Sequence, residues 1–435
     1  MTAQPTQIVI LGGGYVSVYA YQKMARRLRT ELKTGKVQIT VVCPLEHHVF
    51  HGWTAESLIG ILRPETQESR LTDIMPKAQL LLGKAERIDS LRKQVFVKMN
   101  NGTNQTLPFH QLLIATGSAD STKVKGCKEF GYQVKCREAF QKTKERLVEL
   151  VAIAATESPE RASRLLRFTV VGAGFTGVEM IANIAEYVLM LKQQYPTLKD
   201  IRPGFYLING AERILPHLQP RFARLKRYTE KQLLRYGVEV LNNQRIQEIT
   251  AYGAVLDDGS FHASSMVIST IGQSRIVLEG TEQFWRDTQQ RVLTNKYLQI
   301  KGFSDVWGGG DACLSIHPVK GYPCPSNALW AIKQGEHLGR NIAQVVKGKR
   351  PSAFWYPGLG QSASLGLGKG ITEIYNMQFT GVLAWVMRWF FFHYFMTSYR
   401  SMFSSLNDWW HLLRTGKRIG LSPSTTLVNE ARMAA

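Results

Sequence analysis

Residues 167–191 read RFTVVGAGFTGVEMIANIAEYVLML. A short apolar run suited to a buried parallel strand is followed at once by glycines and then by a helix-like stretch. Gly172, Gly174 and Gly177 have the spacing G-x-G-x-x-G. The first glycine of this pattern permits a tight turn, the second lets the backbone approach a pyrophosphate, and the third lets helix and strand pack closely. The stretch therefore predicts a strand–turn–helix unit that binds a dinucleotide.

A weaker version of the same pattern occurs near the start of the chain. The run QIVIL (7–11) precedes Gly12, Gly13 and Gly14, and Ser17 stands where the third glycine is expected. The two units lie about 160 residues apart. This repetition predicts an α/β fold with two Rossmann-like dinucleotide-binding domains, one dinucleotide being held permanently and the other exchanging.

The order of the later segments indicates that the second domain is inserted in the first. The stretch FSDVWGGGDAC (303–313) has the pattern of a strand that runs into a glycine turn, and residues 325–346 have the pattern of a long helix. Both are expected to complete the first domain. The predicted boundaries are 1–125 and 276–350 for the first domain, 126–275 for the second, and 351–435 for a C-terminal region.

Composition and charge exclude several classes of protein. Of 435 residues, 44% are hydrophobic, which excludes a disordered chain. No series of long apolar runs is present in the sequence, which argues against a polytopic membrane protein. The five cysteines form no CxxC pair, so a disulfide scaffold is not expected. The start of the chain lacks a charged segment followed by an apolar core, and a cytoplasmic setting is therefore expected.

The positive charge needs a partner. Subtracting 33 Asp and Glu from 54 Lys and Arg gives a net charge of +21. Nucleic acid, a membrane surface and anionic ligands are the three candidates. The sequence contains no nucleic-acid-binding motif, so no nucleic-acid partner is expected. The His and Cys spacings also predict no metal site.

Two carboxylates next to the glycine patterns are candidate functional residues. Glu179 lies two residues after Gly177, where it could transfer a proton or orient a bound ring. A surface glutamate stabilised by the helix dipole is an equal alternative. Gly310 and Asp311 end the later glycine turn, where a carboxylate can accept hydrogen bonds from sugar-like hydroxyls. A helix-capping aspartate is the alternative there.

The residue that ends the second strand of each unit usually indicates which ribose is bound. An acid at this position binds the 2′-hydroxyl of NADH and repels the 2′-phosphate of NADPH. The position falls on Cys43 in the first unit and on Asn209 in the second. Because Asn209 removes the repulsion, NADPH is possible beside NADH.

The C-terminal region is rich in aromatic residues. Residues 379–410 hold twelve of the 44 aromatic side chains. Spacings of four and three predict one continuous helical stripe. The stripe consists of Trp385, Trp389, Phe392, Met396, Tyr399, Phe403, Leu406 and Trp410. Arg388 and His393 argue against a membrane-spanning helix, a core helix remains an alternative, and a helix lying in the membrane interface is favoured.

Taken together, these segments resemble the type II NADH dehydrogenases, which are single-chain FAD enzymes. The resemblance covers nearly the whole chain. It rests on VILGGG, HHVFHGW, LLIATGS, VVGAGFTGVEM, INGAERILP and VWGGGDAC, and above all on FTGVLAWVMRWFFFHYF followed by WHLLRTGKRI. It implies a non-proton-pumping NAD(P)H:quinone oxidoreductase that passes a hydride to FAD and then reduces a membrane quinone.

The resemblance also implies roles for particular residues. Glu179 would act near the nicotinamide and the quinone as the catalytic carboxylate. Asn209 is a departure from the family pattern, and its place at the end of the second strand is expected to put it beside the NAD(P)H ribose. The FAD-binding residues would be Gly12, Gly13, Gly14, Ser17, Ala115, Thr116, Gly117, Gly310 and Asp311. The NAD(P)H-binding glycines would be Gly172, Gly174 and Gly177.

One departure from the family concerns the quinone side. The family's AQxAxQ pattern corresponds here to residues 328–333, where Ala328 and Ala331 persist but both glutamines are absent. Lys333 and Gln334 are the polar residues at this place. The loss favours an electron acceptor with a differently shaped headgroup.

Three functions are open at this point. The first is the NAD(P)H:quinone oxidoreductase, a peripheral membrane protein on the cytoplasmic side that could form a homodimer. The second is another flavin quinone reductase, such as a sulfide:quinone oxidoreductase, although that group needs reactive cysteines beside the flavin. The third is a non-catalytic redox sensor at the membrane.

Overall fold

The structure is a computed structural model and describes residues 4–216 and 218–419. Residues 420–435 of the predicted C-terminal region lie outside the described residues. The helices are Tyr15–Arg27, Arg29–Lys33, Thr54–Leu58, Leu71–Ile74, Cys127–Phe130, Arg137–Ala154, Pro159–Leu165, Phe175–Lys192, Ala223–Arg235, Ala328–Val346, Val382–Tyr394 and Tyr399–Thr415.

The first sheet has seven strands. Their spatial order is Val306–Gly308, Gln111–Ile114, Thr6–Leu11, Val37–Cys43, Gln79–Asp89, Gln94–Met99 and Asn104–Pro108. The first five run parallel, and the last three form an antiparallel meander. The central strands are buried on both faces, which explains their nearly continuous apolar sequence.

The second sheet has four parallel strands. Their order is Val238–Asn242, Gly204–Asn209, Arg167–Val171 and Met266–Ser269. All four strands precede in the sequence the strand Val306–Gly308, with which the chain returns to the first sheet. The α/β class and the insertion of the second domain into the first are therefore confirmed. The exact domain boundaries stay predictions.

Short strands complete the two domains and the connections between them. They are His47–Val49 with Glu68–Arg70, Ala119–Asp120 with Gln273–Ser274, Ile246–Thr250 with Gly253–Leu256 and Phe261–Ala263, and Val292–Leu293 with Cys313–Leu314. The pair Ala119–Asp120 and Gln273–Ser274 joins the two segments that lead into and out of the second domain.

The C-terminal region begins with a sheet of three antiparallel strands and ends with two helices. The strands are Gly360–Ser364, Gly370–Ile374 and Met377–Thr380. We call Val382–Tyr394 the aromatic helix and Tyr399–Thr415 the final helix. Among the described residues, none of the helices combines the length and the apolarity needed to cross a membrane.

The prediction of one continuous aromatic stripe is wrong. The helix is interrupted between Tyr394 and Tyr399, so the stripe is divided between two helices. Its first half, which includes Trp385 and Trp389, packs against the core of the second domain. Its second half is exposed, with Phe403 64% accessible. The 3.6-residue period alone does not show this interruption, because both halves keep the same spacing.

An ion pair between the buried Asp408 and the half-exposed Arg63 holds the final helix on the first domain. Asp408 is fully buried, and its carboxylate accepts hydrogen bonds from the Arg63 backbone N–H at 3.0 Å and from the Arg63 Nε at 2.9 Å. The Ser401 hydroxyl also donates to the Glu68 carbonyl at 2.8 Å. A buried carboxylate without these donors would be strongly unfavourable, so the contact sets the helix's orientation.

Candidate active site

The first glycine turn joins the strand Thr6–Leu11 to the helix Tyr15–Arg27. Gly12 has φ +111°, and a Cβ there would lie 2.3 Å from the Ala115 carbonyl oxygen, so only glycine fits. Gly14 differs, because it has φ −81° and an added Cβ would meet no atom within 4 Å. Nothing within the protein requires glycine at position 14. The open space in front of Gly14 is therefore available to a ligand at the helix N-terminus.

The second glycine turn repeats this geometry. A Cβ on Gly177 would lie 1.7 Å from the Gly172 carbonyl oxygen, so helix and turn are in direct backbone contact. Gly174 has φ −73°, and its added Cβ would again meet nothing within 4 Å. Each turn thus combines glycines that the fold requires with one glycine that only a ligand would require.

Polar groups surround the first turn. The hydroxyls of Ser17 and Thr116 are buried and have no hydrogen-bond partner among the described residues. Since unpaired buried hydroxyls are uncommon, their clustering beside Gly12 and Gly14 fits a polar ligand. Gly117 follows with φ +65° and turns the chain away from the sheet.

Asp311 collects polar side chains from both connections between the domains. Its Oδ2 accepts hydrogen bonds from the Ser118 hydroxyl at 2.7 Å and from Lys135 Nζ at 3.3 Å. Gln273 Nε2 approaches the same oxygen at 3.4 Å, and Arg275 Nε donates to the Asp311 carbonyl at 2.7 Å. The carboxylate is therefore fixed at the junction of the two domains and is not a simple helix cap.

The segment around His48 and His51 covers the first turn. Nδ1 of His48 donates to the Gly13 carbonyl at 3.1 Å, and the His51 N–H donates to the Tyr15 hydroxyl at 2.9 Å. Burial lowers the pKa of both imidazoles to about 4. Both side chains are therefore neutral at pH 7, and no charge from them opposes a ligand at the turn.

Glu179 lies on the helix Phe175–Lys192 and is only 17% exposed. One of its oxygens, Oε1, accepts a hydrogen bond from the Ser364 N–H at 2.7 Å. The same oxygen lies 3.1 Å from Nη2 of Arg388 on the aromatic helix. Burial raises the pKa of this carboxyl to about 7, while Arg388 acts in the opposite direction and Glu56 adds to the rise. A carboxyl with this pKa can give or take a proton at neutral pH.

On the predicted quinone side, Gln334 has a structural contact. Its Oε1 accepts a hydrogen bond from the Gly310 N–H at 2.7 Å, which holds the turn that carries Asp311. Ala331 lies close to the same turn, 3.8 Å from the position of a Cβ on Gly310. Lys333 pairs with Glu336 at 3.1 Å. Ala328 is the first residue of this helix.

Asn209 also has a structural contact. Its amide nitrogen donates to the Ala211 carbonyl at 2.9 Å and to Asn242 Oδ1 at 2.8 Å, and its Oδ1 accepts from the Ala211 N–H. The side chain therefore shapes the turn after the second strand and presents no carboxylate there.

Several site residues were not found from the sequence. Lys135 contacts Asp311 and Glu56 contacts Arg388, yet neither belongs to a motif that we singled out. Ser118 ends the motif LLIATGS, but its contact with Asp311 was not predicted. Arg388 was interpreted only as an obstacle to membrane insertion. Its position between aromatic residues, on a helix with few other charges, was the available signal for a buried and paired cation.

Two glycine turns at the carboxyl ends of parallel strands in two sheets, with a carboxylate fixed between the domains, are typical of two-domain oxidoreductases that use dinucleotides. Residues 6–335 match the family model described as pyridine nucleotide-disulphide oxidoreductase. The chain belongs to this family and is an enzyme of the oxidoreductase class.

Individual proteins similar to this chain share only a low fraction of identical residues with it. The type II NADH:quinone oxidoreductase of Mycobacterium tuberculosis is 26% identical over 429 residues, which are 94% of this chain and 89% of that protein. NDH2 from Plasmodium falciparum, solved with NADH, has a TM-score of 0.85 at 15% identity and covers 96% of this chain and 100% of its own. The sulfide:quinone oxidoreductase of Aquifex aeolicus has a TM-score of 0.69 at 16% identity and covers 95% of this chain and 96% of its own.

The contact between Gln334 and Gly310 gives a first prediction. Gln334→Met leaves the Gly310 N–H without its acceptor and should reduce the free energy of unfolding by about 1 kcal/mol. Gln334→Glu keeps an acceptor but buries a carboxyl group, so it should recover the loss only at low pH, where that group is protonated. The matched control Lys333→Met removes only a partly exposed ion pair and should change stability by less than about 0.5 kcal/mol. Thermal unfolding midpoints of the four proteins provide the measurement. Equal midpoints for Gln334→Met and the wild type would contradict a structural role.

Proposed function

We propose that this protein is an FAD-dependent NAD(P)H:quinone oxidoreductase that works at a membrane surface. The observation that carries the proposal is the position of Glu179. It lies two residues from the second glycine turn and is held by the aromatic helix, whose opposite face is apolar and exposed. One carboxyl thus connects a nucleotide site with a surface suited to lipid. The likeness to proteins named type II NADH:quinone oxidoreductases supports the same assignment.

The first glycine turn fits FAD. Gly14 leaves room for a pyrophosphate, Thr116 has a free buried hydroxyl, and the Asp311 carboxylate can accept from a ribityl hydroxyl. When bound, the flavin supplies the two-electron chemistry between nicotinamide and quinone. The residues of the chain bind it, orient it and keep Asp311 fixed through Ser118 and Lys135.

The second glycine turn fits a nicotinamide dinucleotide that exchanges. Its open space in front of Gly174 accommodates the pyrophosphate. At the end of the second strand, Asn209 replaces the acid that would repel a 2′-phosphate, and the side chain of Arg245 lies against Gly210. We therefore infer that NADH and NADPH are both substrates.

An exposed apolar surface on the C-terminal region fits a membrane. We call it the tail surface. It consists of Val382, Leu383, Val386, Phe390, Tyr394, Tyr399, Phe403, Trp410 and Leu413. The basic helix Ala223–Arg235 lies beside its start, since the Tyr228 hydroxyl lies 3.6 Å from a Cβ built on Gly381. Apolar side chains together with nearby basic residues are the two signals that stable peripheral binding needs.

Three of the five cysteines argue against the sulfide:quinone alternative, while Cys136 is exposed. Burial raises the pKa of the Cys127 thiol and raises those of Cys313 and Cys324 to about 12. A thiol with such a pKa is protonated at neutral pH and is a poor nucleophile towards sulfide.

Anaerobic reduction tests the proposed reaction. The purified, flavin-loaded protein is mixed with NADH, NADPH or sulfide while flavin absorbance is followed, and quinones are then added. We expect bleaching by both nicotinamides, none by sulfide, and recovery of absorbance with a quinone. The absence of bleaching by either nicotinamide would overturn the proposal. Bleaching without recovery by any quinone would instead favour a redox sensor.

The two unconstrained glycines distinguish the two nucleotide sites. Gly14→Ala and Gly174→Ala should both fold normally, because each new Cβ meets no protein atom. Gly14→Ala should lose bound flavin, measured as the ratio of flavin to protein. Gly174→Ala should keep its flavin but raise the KM for NADH at least about tenfold, since the backbone can no longer approach the pyrophosphate. An unchanged KM in Gly174→Ala would place the exchanging nucleotide elsewhere.

Removal of two exposed aromatic residues tests the membrane surface. The double variant Phe390→Ser, Phe403→Ser should bind liposomes of mixed neutral and anionic lipid at least about tenfold more weakly in flotation assays, because two apolar anchors are lost. Trp285→Ser is the matched control, since Trp285 is equally exposed at 66% but lies outside the tail surface. Equal binding by the double variant and the control would show that the tail surface is not the anchor.

A further inference from the structure

Arg388 is a deeply buried cation of the C-terminal region, with a side chain only 2% exposed. Its guanidinium contacts three separate parts of the fold. Nη1 pairs with Glu56 on the short helix Thr54–Leu58, and Nη2 lies 3.3 Å from the other Glu56 oxygen. Nη2 also donates to the Gly52 carbonyl at 3.0 Å and lies 3.1 Å from Glu179. The aromatic ring of Phe392 packs 4.3 Å from the guanidinium carbon.

One cation therefore serves two carboxylates. Glu56 is 1% exposed and holds Arg388 through two contacts, whereas Glu179 has only one. Two like charges close together in a buried site cannot both be stabilised fully by a single cation. The negative charge of the more weakly held carboxyl, Glu179, is therefore the less fully compensated by Arg388.

The other groups around Glu179 are neutral. The strand Gly360–Ser364 contributes the Ser364 N–H, and the helix that carries Glu179 contributes Asn183, whose amide donates to the Glu179 carbonyl. The charged groups that face the carboxyl are Arg388 and Glu56. The carboxylate that acts on the pKa of Lys144, on the adjacent helix Arg137–Ala154, is Glu65 and not Glu179. The proton affinity of Glu179 thus depends mainly on two side chains from distant parts of the chain.

We propose that Arg388 is the positioning residue of Glu179, fixing the place of its carboxylate and how readily it releases a proton. Glu56 is the counter-charge that shares Arg388. The proposal rests on the proposed function, because reduction of a quinone consumes two protons together with two electrons. The aromatic helix is then part of the redox site in addition to carrying the tail surface.

Two substitutions should move the protonation of Glu179 in opposite directions. Arg388→Gln removes the cation, so the carboxyl should hold its proton to a higher pH. Glu56→Gln removes the competing anion and leaves Arg388 to Glu179 alone, so the proton should be released at a lower pH. Shifts of about one pH unit or more are expected for charges at these distances. Arg388→Lys keeps the charge and should shift the profile less than Arg388→Gln.

The first readout is the pH dependence of turnover with NADH and a quinone, measured for the wild type and the three variants. Its apparent pKa near 7 should rise in Arg388→Gln and fall in Glu56→Gln. A merely structural role would lower the rate at all pH values without moving the profile.

The second readout does not depend on activity. The folded pKa of Glu179, about 7, lies above its ordinary value of 4.5, so its contribution to stability is present at low pH. That contribution is lost as the pH rises from about 4.5 to about 7. The difference in thermal midpoint between each protein and the same protein carrying Glu179→Gln isolates this change. The loss should extend to higher pH in Arg388→Gln and end at lower pH in Glu56→Gln.

The outcomes separate this inference from the proposed function. If NADH does not reduce the flavin, the proposed function fails, but the thermal readout still tests the coupling of Arg388 to Glu179. If Arg388→Gln does not fold, Glu56→Gln decides alone. Unchanged profiles in both readouts for a folded Glu56→Gln variant, or shifts of the same sign in both variants, would overturn the inference.

Discussion

The guanidinium of Arg388 is the contact on which the arrangement of this protein depends. A buried cation is tolerated only when it is paired and hydrogen-bonded, so Arg388 requires Glu56, Gly52 and Glu179 to meet at one point. These partners come from the first domain and from the second, while Arg388 itself comes from the C-terminal region. The need to satisfy one charge therefore joins three parts of the chain that are far apart in sequence.

Aromatic packing connects the contacts around Arg388 with the first glycine turn. Phe392 contacts Phe50 with ring centroids 6.1 Å apart, and Phe50 contacts Tyr15 at 6.0 Å. Tyr15 begins the helix that follows Gly14. A continuous series of contacts thus runs from the first nucleotide turn through the aromatic helix to Glu179 beside the second turn. Both ends of the proposed electron path rest on the same group of side chains.

Local patterns and long-range contacts were predictable to different degrees. The glycine turns follow from strand and helix periodicity together with backbone sterics at Gly12 and Gly177, and both are local properties. The insertion of one domain in the other followed from the order of these motifs. The pairing of Arg388 with Glu56 could not be predicted, because 332 residues separate them and no local pattern encodes a contact at that distance. The role of Gln334 was missed for the same reason, since its partner Gly310 lies 24 residues away.

Which aromatic side chains point inward was hard to predict for the same reason. Spacing showed that one face of each helix is apolar, but both faces of the aromatic helix carry large apolar side chains. Which face turns inward is decided by Arg388, which must reach its carboxylates. The sequence therefore identified an amphipathic region correctly and assigned the inner part of the stripe to the wrong side.

Both C-terminal helices are fixed in rotation by ion pairs of their buried charges, Arg388 with the buried Glu56 and Asp408 with the half-exposed Arg63. A helix held in this way presents its outer side chains without having to fold or turn when it meets its target. Little conformational entropy remains to be lost on contact, which favours rapid association and shallow binding at the contacted surface. With a helix diameter of about 10 Å, only the outer half of a helix held in this way, about 5 Å, would be free to enter the proposed membrane surface. The two ion pairs would thus decide which side chains enter it.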